Sequence, residues 1–345
     1  MIRRALFIAA ALVLAAAAHV FAAAPEGPRL ALVEFSAKPA RLVLNSVDQG
    51  GGQPLPIAGG GKRARPLPTI FDAPSWSGDG SAIAFTGIGG KVEGSSGFAL
   101  EGAQIYVVGA DGSGLRSVPG TTEGLGPVFS PDSRTIAFTR IRERKRRDRR
   151  GGEKLIYRSW SVWLADTAGG GSARLTPWRN GLLMTPSSFS PDGTTLAVSR
   201  QKSERAEAEV IAMQLDGSGS AVIARHASSG VYSPDGTRLA FLQVDRKGGD
   251  SDLFTIGAGG SDRRRLTRTP KGLEVWPSWD PSGRRLVVTR VSGEGEAGFL
   301  GFGDAVVEMN ADGSCPKTIL RDRKVAFYGA TWQPGPGREA GPIAC

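Results

Sequence analysis

Residues that could bind or act on a ligand recur shortly before each copy of an aromatic-and-turn motif. Counted back from the motif aromatics, the candidates are Asp72, Glu123, Thr185, His226, Glu274, Trp276 and Tyr328. This mixture of carboxylates, aromatics and one imidazole could hold a peptide, a sugar or a cation. Ordinary polar loop residues are the alternative interpretation. The catalytic alternative is a lyase or hydrolase that uses these acidic and aromatic residues. Paired carboxylates that cleave a glycosidic bond must lie at a defined separation from each other.

Other arrangements for catalysis or metal binding are missing from the sequence. It contains two histidines, His19 and His226, and no Gly-x-Ser-x-Gly elbow for a nucleophilic serine. The two cysteines lack further His or Cys companions for zinc, and no segment has the ligand pattern of an EF-hand. Gly-rich segments join strand to strand, so they present no helix N-terminus to a phosphate. We therefore expect no catalytic residue, no metal and no cofactor.

The densest charge cluster lies between residues 140 and 150. Its basic residues are Arg142, Arg144, Lys145, Arg146, Arg147, Arg149 and Arg150. Like charges at this density are typical of solvated interaction segments, so we expect a loop that contacts an anionic envelope polymer, a membrane surface or an acidic protein. A solubilising loop extension is the alternative. Nucleic acid is not expected, because no aromatic residues are interleaved for base stacking.

The elements that position these residues are repeats. Phe189-Ser-Pro-Asp-Gly193 precedes the apolar segment Leu196-Ala-Val198, and related copies begin at Trp76, Phe129, Tyr232, Trp279 and Trp332. Pro, Asp and Gly each favour turn geometry, so the motif predicts a hairpin between two short strands. The recurring aromatics are predicted to pack between neighbouring units.

A second hairpin follows in each complete repeat, as in Ile105-Tyr-Val-Val108 followed by Ala110-Asp-Gly-Ser-Gly114. Four antiparallel strands per repeat of 40 to 60 residues are typical of propeller blades. The N-terminal strands 30–33 and 42–44, with a third at 54–57, lack an innermost strand, and the C-terminal segment 330–332 could supply it. The sequence thus predicts an all-β fold, a six-bladed β-propeller of four-stranded antiparallel blades closed by pairing the N-terminal strands with the C-terminal strand.

The two motifs together resemble the TolB-type, WD-like β-propeller repeat, and the resemblance extends over residues 29–345. It implies a secreted or periplasmic propeller, here without the α/β domain that precedes the TolB propeller. The expected blades occupy about residues 29–58 with 330–343, 73–118, 126–176, 186–224, 229–267 and 276–320.

The N-terminus predicts export. Arg3 and Arg4 followed by the apolar run 5–18 and a small-residue cleavage site indicate a signal peptide at 1–22, with a membrane anchor as the alternative. No later segment is expected to span a membrane. Cys315 and Cys345 could form one disulfide in an oxidising compartment, and two unpaired thiols are the alternative.

The formal net charge of +10 favours anionic partners. The sequence therefore predicts a monomeric, non-catalytic protein- or ligand-binding scaffold in the cell envelope. Its expected partner is an envelope protein or an anionic envelope polymer, the latter bound through the basic segment.

Overall fold

The computed structural model describes most of the chain after residue 28. The described ranges are 29–35, 41–46, 51–54, 69–70, 74–88, 102–147, 153–203, 206–244, 250–269, 272–291, 303–322, 326–335 and 341–345. The predicted signal peptide, Asp72, Arg149 and Arg150 lie outside them. Within these ranges the regular structure is β-strand throughout.

The strands form antiparallel sheets that follow one another along the chain. The first three sheets, numbered in chain order, contain the following strands. Sheet 1 contains β1 (Arg29–Phe35), β2 (Arg41–Ser46) and β3 (Gly51–Pro54); sheet 2 contains β4 (Thr69–Ile70), β5 (Ser75–Trp76), β6 (Ala82–Ile88), β7 (Ala103–Gly109) and β8 (Arg116–Ser117); sheet 3 contains β9 (Gly124–Phe129), β10 (Thr135–Arg147), β11 (Glu153–Asp166), β12 (Ser172–Arg174) and β13 (Arg179–Asn180).

The remaining strands complete the fold. Sheet 4 contains β14 (Leu183–Phe189), β15 (Thr195–Gln201), β16 (Ala208–Gln214) and β17 (Ser220–Arg225); sheet 5 contains β18 (Ser228–Tyr232), β19 (Arg238–Val244), β20 (Ser251–Gly257) and β21 (Arg264–Arg265); sheet 6 contains β22 (Leu273–Trp279), β23 (Arg285–Val291), β24 (Ala305–Asn310) and β25 (Lys317–Arg321); β26 (Ala326–Trp332) joins sheet 1. The architecture is an all-β propeller of four-stranded antiparallel blades.

The two ends of the chain meet in sheet 1. Strand β26 pairs antiparallel with β1, which places Leu30 opposite Trp332 and Val33 opposite Tyr328. The predicted closure by N-terminal and C-terminal strands is confirmed. This pairing covers the open edges that an unclosed array of sheets would expose.

Three local predictions need correction. The third strand of sheet 1 is Gly51–Pro54 rather than 54–57, so Gly51 and Gly52 belong to the strand. The innermost strands of sheets 3 to 6 begin one to three residues earlier than expected. The segment predicted to be a charged loop is strand up to Arg147, because β11 supplies a partner rich in residues that favour strands.

The motif turn owes its geometry to a side-chain hydrogen-bond network. Ser190 Oγ donates to Asp192 Oδ1, Thr194 N donates to the same carboxylate, and Thr195 N donates to Ser190 Oγ. The same serine-to-aspartate and backbone-to-serine hydrogen bonds recur in sheets 2, 3 and 5, at Ser77, Ser130 and Ser233. The predicted hairpin role of Ser-Pro-Asp-Gly is confirmed.

Sheet 6 reverses the order of the two polar residues in this turn. Asp280 stands where the copies in sheets 2 to 5 have serine, and Ser282 stands where they have aspartate. Asp280 Oδ1 accepts from Arg285 N at 2.7 Å, and Ser282 Oγ donates to Asp280 Oδ2 at 2.5 Å. The turn therefore keeps its hydroxyl–carboxylate contact with the partners exchanged.

The recurring aromatics pack between sheets, as predicted. Trp279 is 8% exposed and lies in one apolar cluster with Leu242 and Leu253 of sheet 5 and Val288 of sheet 6. Its indole Nε1 donates to the carbonyl of Val231 in the inner strand of sheet 5 at 3.1 Å. Each such aromatic thus joins a sheet to the one before it.

The C-terminal segment returns to sheet 6. A disulfide links Cys315 to Cys345, and the described residues contain no free cysteine. The Asn310 side chain bonds the backbone of Ile343 in both directions, with Nδ2 to the carbonyl at 3.0 Å and Oδ1 from the N–H at 2.7 Å. These contacts hold residues 341–345 on the turn between β24 and β25.

Candidate functional site

A central cavity of about 530 Å³ lies where the inner strands meet. We call it the channel cavity. Its wall is drawn from the inner strand of every described sheet, namely β5, β9, β14, β18, β22 and β26. All of its lining residues are uncharged: prolines, serines, glycines, a threonine, valines and the motif aromatics.

The inner strands do not run straight past this cavity. Five of them shift register against their neighbour within the sheet, at Pro127, Ser187, Gly230, Pro277 and Ala330. A β-bulge of this kind bends the strand and turns an extra residue out of the ladder. The bulges therefore decide which side chains enter the channel.

Trp276 occupies such a bulge in an unusual backbone conformation. Its φ is +57°, in the left-handed region, whereas the equivalent bulges carry Gly126 at +61° and Ser229 at +54°. Left-handed backbone costs a bulky L-residue about 1–2 kcal/mol. A strained residue of this kind is a common feature of binding sites, where the surrounding structure holds it in place.

Trp276 and Tyr328, both predicted as site residues, are in contact with each other, and Trp276 is the one that lines the cavity. Their ring centroids are 5.0 Å apart and their planes are tilted by 54°. This tilted contact joins β22 to β26, and Trp276 itself lines the channel cavity. Tilted aromatic pairs at this distance are favourable, so Tyr328 helps to hold the Trp276 ring in place.

Thr185 and His226 meet at a different cavity, of about 470 Å³, between sheets 4 and 5. His226 Nδ1 lies 2.9 Å from Glu207 Oε2 in an ion pair that forms when the imidazole is protonated. Arg200, which also lines this cavity, pairs with Glu209 at 2.7 Å. Of the candidate ligand-binding residues predicted from the sequence, Trp276 lines the channel cavity, and Thr185 and His226 line this second one.

Glu274 is a framework residue. Its side chain is fully buried and accepts from Leu253 N at 3.1 Å, Thr269 Oγ1 at 2.9 Å and Arg290 Nη2 at 2.7 Å, and also from Thr267 Oγ1. These bonds tie β20, β22 and β23 together. A carboxylate with this many donors has no face left for a ligand.

The acidic residues of the catalytic alternative do not meet in the channel cavity. Glu123 is exposed on the turn before β9 with φ of +59°, and Glu274 is buried inside sheet 6. Neither lines the channel cavity, and Asp72 lies outside the described residues. Burial raises the pKa of Tyr232, the one tyrosine of the cavity wall, so its hydroxyl stays protonated at neutral pH.

The basic segment forms part of a long hairpin. Strands β10 and β11 stay paired from Thr135 opposite Asp166 to Arg147 opposite Glu153. Near the base, the guanidinium of Arg140 lies 4.1 Å from the Trp163 ring, and that of Arg142 lies 4.2 Å from the Trp178 ring. Sequence reasoning missed this ribbon, although the alternation of residue types in 153–163 was a signal for its second strand.

Two further observations limit the chemistry. No group of three or more His, Cys, Asp or Glu side chains suited to a metal occurs among the described residues. Within the same ranges, no helix is long and apolar enough to cross a membrane.

Comparison with known proteins agrees with this fold. No protein-family profile matches the chain. Over 123 residues, 35% of this chain, it is 34% identical to the Tol-Pal system protein TolB of Anaeromyxobacter dehalogenans, and the match spans 27% of that protein. A stretch of 66 residues is 41% identical to an uncharacterized peptidase, YuxL, of Bacillus subtilis, spanning 19% of this chain and 10% of that one.

Solved structures show the same architecture. The crystal structure of TolB from Acinetobacter baumannii superposes with a TM-score of 0.62 at 17% identity, covering 89% of this chain and 67% of that one. At this identity the likeness concerns the fold. Together, the propeller, the repeat motifs and the TolB relatives show that the chain carries a TolB-like β-propeller.

Proposed function

We propose that this protein is a secreted or periplasmic, non-catalytic scaffold of the cell envelope whose channel cavity receives an uncharged segment of a partner protein. In this proposal the described sheets are the blades of a six-bladed propeller that acts as a monomer, and residues 1–22 are the export signal. The relatives named for the Tol-Pal system support an envelope role.

The observation that carries the proposal is the composition of the channel cavity. Its described lining has no carboxylate, ammonium, guanidinium or imidazole, and its one titratable side chain is the hydroxyl of Tyr232, whose pKa is raised by burial. It offers aromatic rings, prolines and hydroxyls, which suit a peptide with apolar and small polar side chains. Trp276, held by its ring contact with Tyr328, supplies the kind of aromatic contact area that often dominates binding energy.

A charge placed in the channel tests this proposal. Ser187→Arg puts a guanidinium at the bulge of β14, where burial against an uncharged partner would be unfavourable. Ser220→Arg makes the same change at an exposed position on the outer strand of the same sheet. Both variants and the unmodified protein serve as bait in envelope extract, with folding checked by thermal melting.

We expect the unmodified protein and Ser220→Arg to retain the same envelope protein, and Ser187→Arg to lose it. A photo-crosslinking residue introduced at Tyr232 should attach to that protein and report the contact segment. Equal capture by both arginine variants would contradict a channel site.

A further inference from the structure

The hairpin of β10 and β11 is longer than its counterparts. These strands contain 13 and 14 residues, whereas the middle strands of sheets 4 and 5 contain 7 each. The portion formed by 142–147 and 153–158, which we call the arm, has seven basic and two acidic residues. Its net +5 is half of the chain's formal +10. A structural hairpin connection does not need this charge.

The pairing register distributes that charge unevenly over the two faces of the arm. Alternate residues of a strand share a face, and directly opposed residues of an antiparallel pair lie on the same face. One face therefore takes four basic positions of β10, opposite neutral partners and one lysine on β11. The opposed pairs are Arg140 with Ser161, Arg142 with Ser159, Arg144 with Tyr157, and Arg146 with Lys154.

The other face is nearly balanced. Its opposed pairs are Ile141 with Trp160, Glu143 with Arg158, Lys145 with Leu155, and Arg147 with Glu153. Both acidic residues of the arm fall on this face, each opposite an arginine. The basic face, defined by positions 140, 142, 144, 146 and 154, has no acidic position.

A register shift between Arg144 and Lys145 produces this separation. Ile156 is the residue left without an opposed partner, so Lys154 falls opposite Arg146. In an uninterrupted ladder Lys154 would stand opposite Arg147 on the other face, and Glu153 would change to the basic face. The bulge thus places Lys154 on the basic face and keeps Glu153 on the opposite face.

Aromatic contacts fix the base of the basic face. Trp163 and Trp178 have ring centroids 6.3 Å apart, and the guanidiniums of Arg140 and Arg142 stack on them. Arg140 also donates from Nε to the carbonyl of Thr122 at 3.1 Å. Arg140 Nη2 donates to the carbonyl of Gly120 as well, so the edge of this guanidinium is occupied and Arg140 anchors the base of the face. Stacking on Trp178 uses the flat side of the Arg142 guanidinium and leaves its edge, which is the part that binds carboxylate and phosphate.

From this arrangement we propose that the arm binds a linear polyanion, a polysaccharide or similar polymer with repeated acidic groups, along its basic face. Successive basic positions on β10 are about 6.7 Å apart, and the row from Arg140 to Arg146 extends about 20 Å. A single row on a narrow ribbon matches a line of charges. The apolar positions Ile141, Leu155 and Trp160 lie on the opposite face. Tyr157 is the aromatic position of the arm on the basic face, and none of the paired positions from 140 to 146 on that face is an aliphatic residue that would enter a lipid interface.

Matched double variants test the proposal on the full protein. Arg144→Gln with Arg146→Gln removes two charges from the basic face, and Lys145→Gln with Arg147→Gln removes two from the opposite face. Binding to immobilised polygalacturonate is measured at two salt concentrations, with neutral dextran as the blank. We expect about tenfold weaker binding for the basic-face variant and less than about threefold for the other, since charges facing the polymer dominate.

Equal losses for the two variants would overturn the proposal, because net charge alone would explain them. Failure of the unmodified protein to bind would do the same. Vesicles of phosphatidylglycerol and phosphatidylcholine distinguish a lipid surface from a polymer. Face-dependent binding to the vesicles but not to the polymer would refute the polyanion proposal. Ser187→Arg should bind the polymer normally, so this proposal and the channel proposal can fail separately.

Discussion

Trp276 gives the sharpest test of how the channel is built. Its φ of +57° lies in a region that glycine adopts readily and in which residues with a Cβ atom are strained. Trp276→Gly and Trp276→Ala both remove the ring and its contact with Tyr328, so the two variants share that loss. They differ in the Cβ atom, which keeps the strain in the alanine variant alone.

The expected difference can be estimated. At ordinary positions inside a strand, glycine is about 0.5–1 kcal/mol less stable than alanine. At a left-handed position the order reverses, because the Cβ costs about 1–2 kcal/mol there. We therefore expect Trp276→Gly to be more stable than Trp276→Ala by about 1 kcal/mol. Both variants have a lower free energy of unfolding than the unmodified protein if the lost aromatic contact, about 0.5–1.5 kcal/mol, and the lost ring burial together exceed the relieved strain.

Urea unfolding followed by circular dichroism measures these differences. Ser187 provides the control, since it lies at the corresponding bulge of β14 and is not among the residues with positive φ. There, Ser187→Ala should be more stable than Ser187→Gly, the opposite order. If alanine is the more stable residue at position 276 as well, the strained conformation of Trp276 is refuted.

Three further predictions concern framework contacts. Glu274→Gln should lower the free energy of unfolding by about 2–4 kcal/mol, since it leaves the Arg290 charge buried without its partner; urea unfolding measures this, and an unchanged midpoint would contradict it. The Ser190 hydroxyl and the Thr194 N–H lower the pKa of Asp192, so its contribution is complete above about pH 4 and lost as pH falls through the lowered pKa. Asp192→Asn should therefore flatten the acid limb of a stability–pH curve, and an unaltered limb would count against the network. Asp280→Ser and Ser282→Asp should each cost about 1 kcal/mol, whereas the double variant restores the common turn and recovers most of the loss.

Much of the fold could be predicted from the sequence because its repeat is local. The turn depends on Ser, Pro, Asp and Gly within five residues, and the copies share these turn-forming residue types. The pairing of β1 with β26 was also predictable, because the N-terminal strands lacked an inner strand and the C-terminal segment contained an inner strand without further strands after it. Sequence spacing placed Trp276 and Tyr328 on entering strands of neighbouring sheets, and the structure brings their rings together.

The predictions for Glu274 and for the basic segment differ from the structure because long-range contacts decide the outcome there. Glu274 looked like a carboxylate available to a ligand, but its partners Leu253 and Arg290 lie 21 and 16 residues away in sequence. The basic segment looked like a loop because like charges repel. Spacing of about 6.7 Å between alternate strand positions reduces that repulsion, and strand β11 supplies the missing backbone partners.

Both candidate surfaces depend on the same kind of irregularity. A bulge in β22 places Trp276 in the channel, and a bulge opposite Arg144 places Lys154 on the basic face. A bulge belongs to two strands at once, because it is a mismatch between their registers, so neither strand's residues specify it alone. The repeated turns keep the blades alike, whereas these mismatches change which side chains each blade presents. Differences in function between propellers with the same turn motif should therefore be sought first at the bulges of their inner strands and long hairpins.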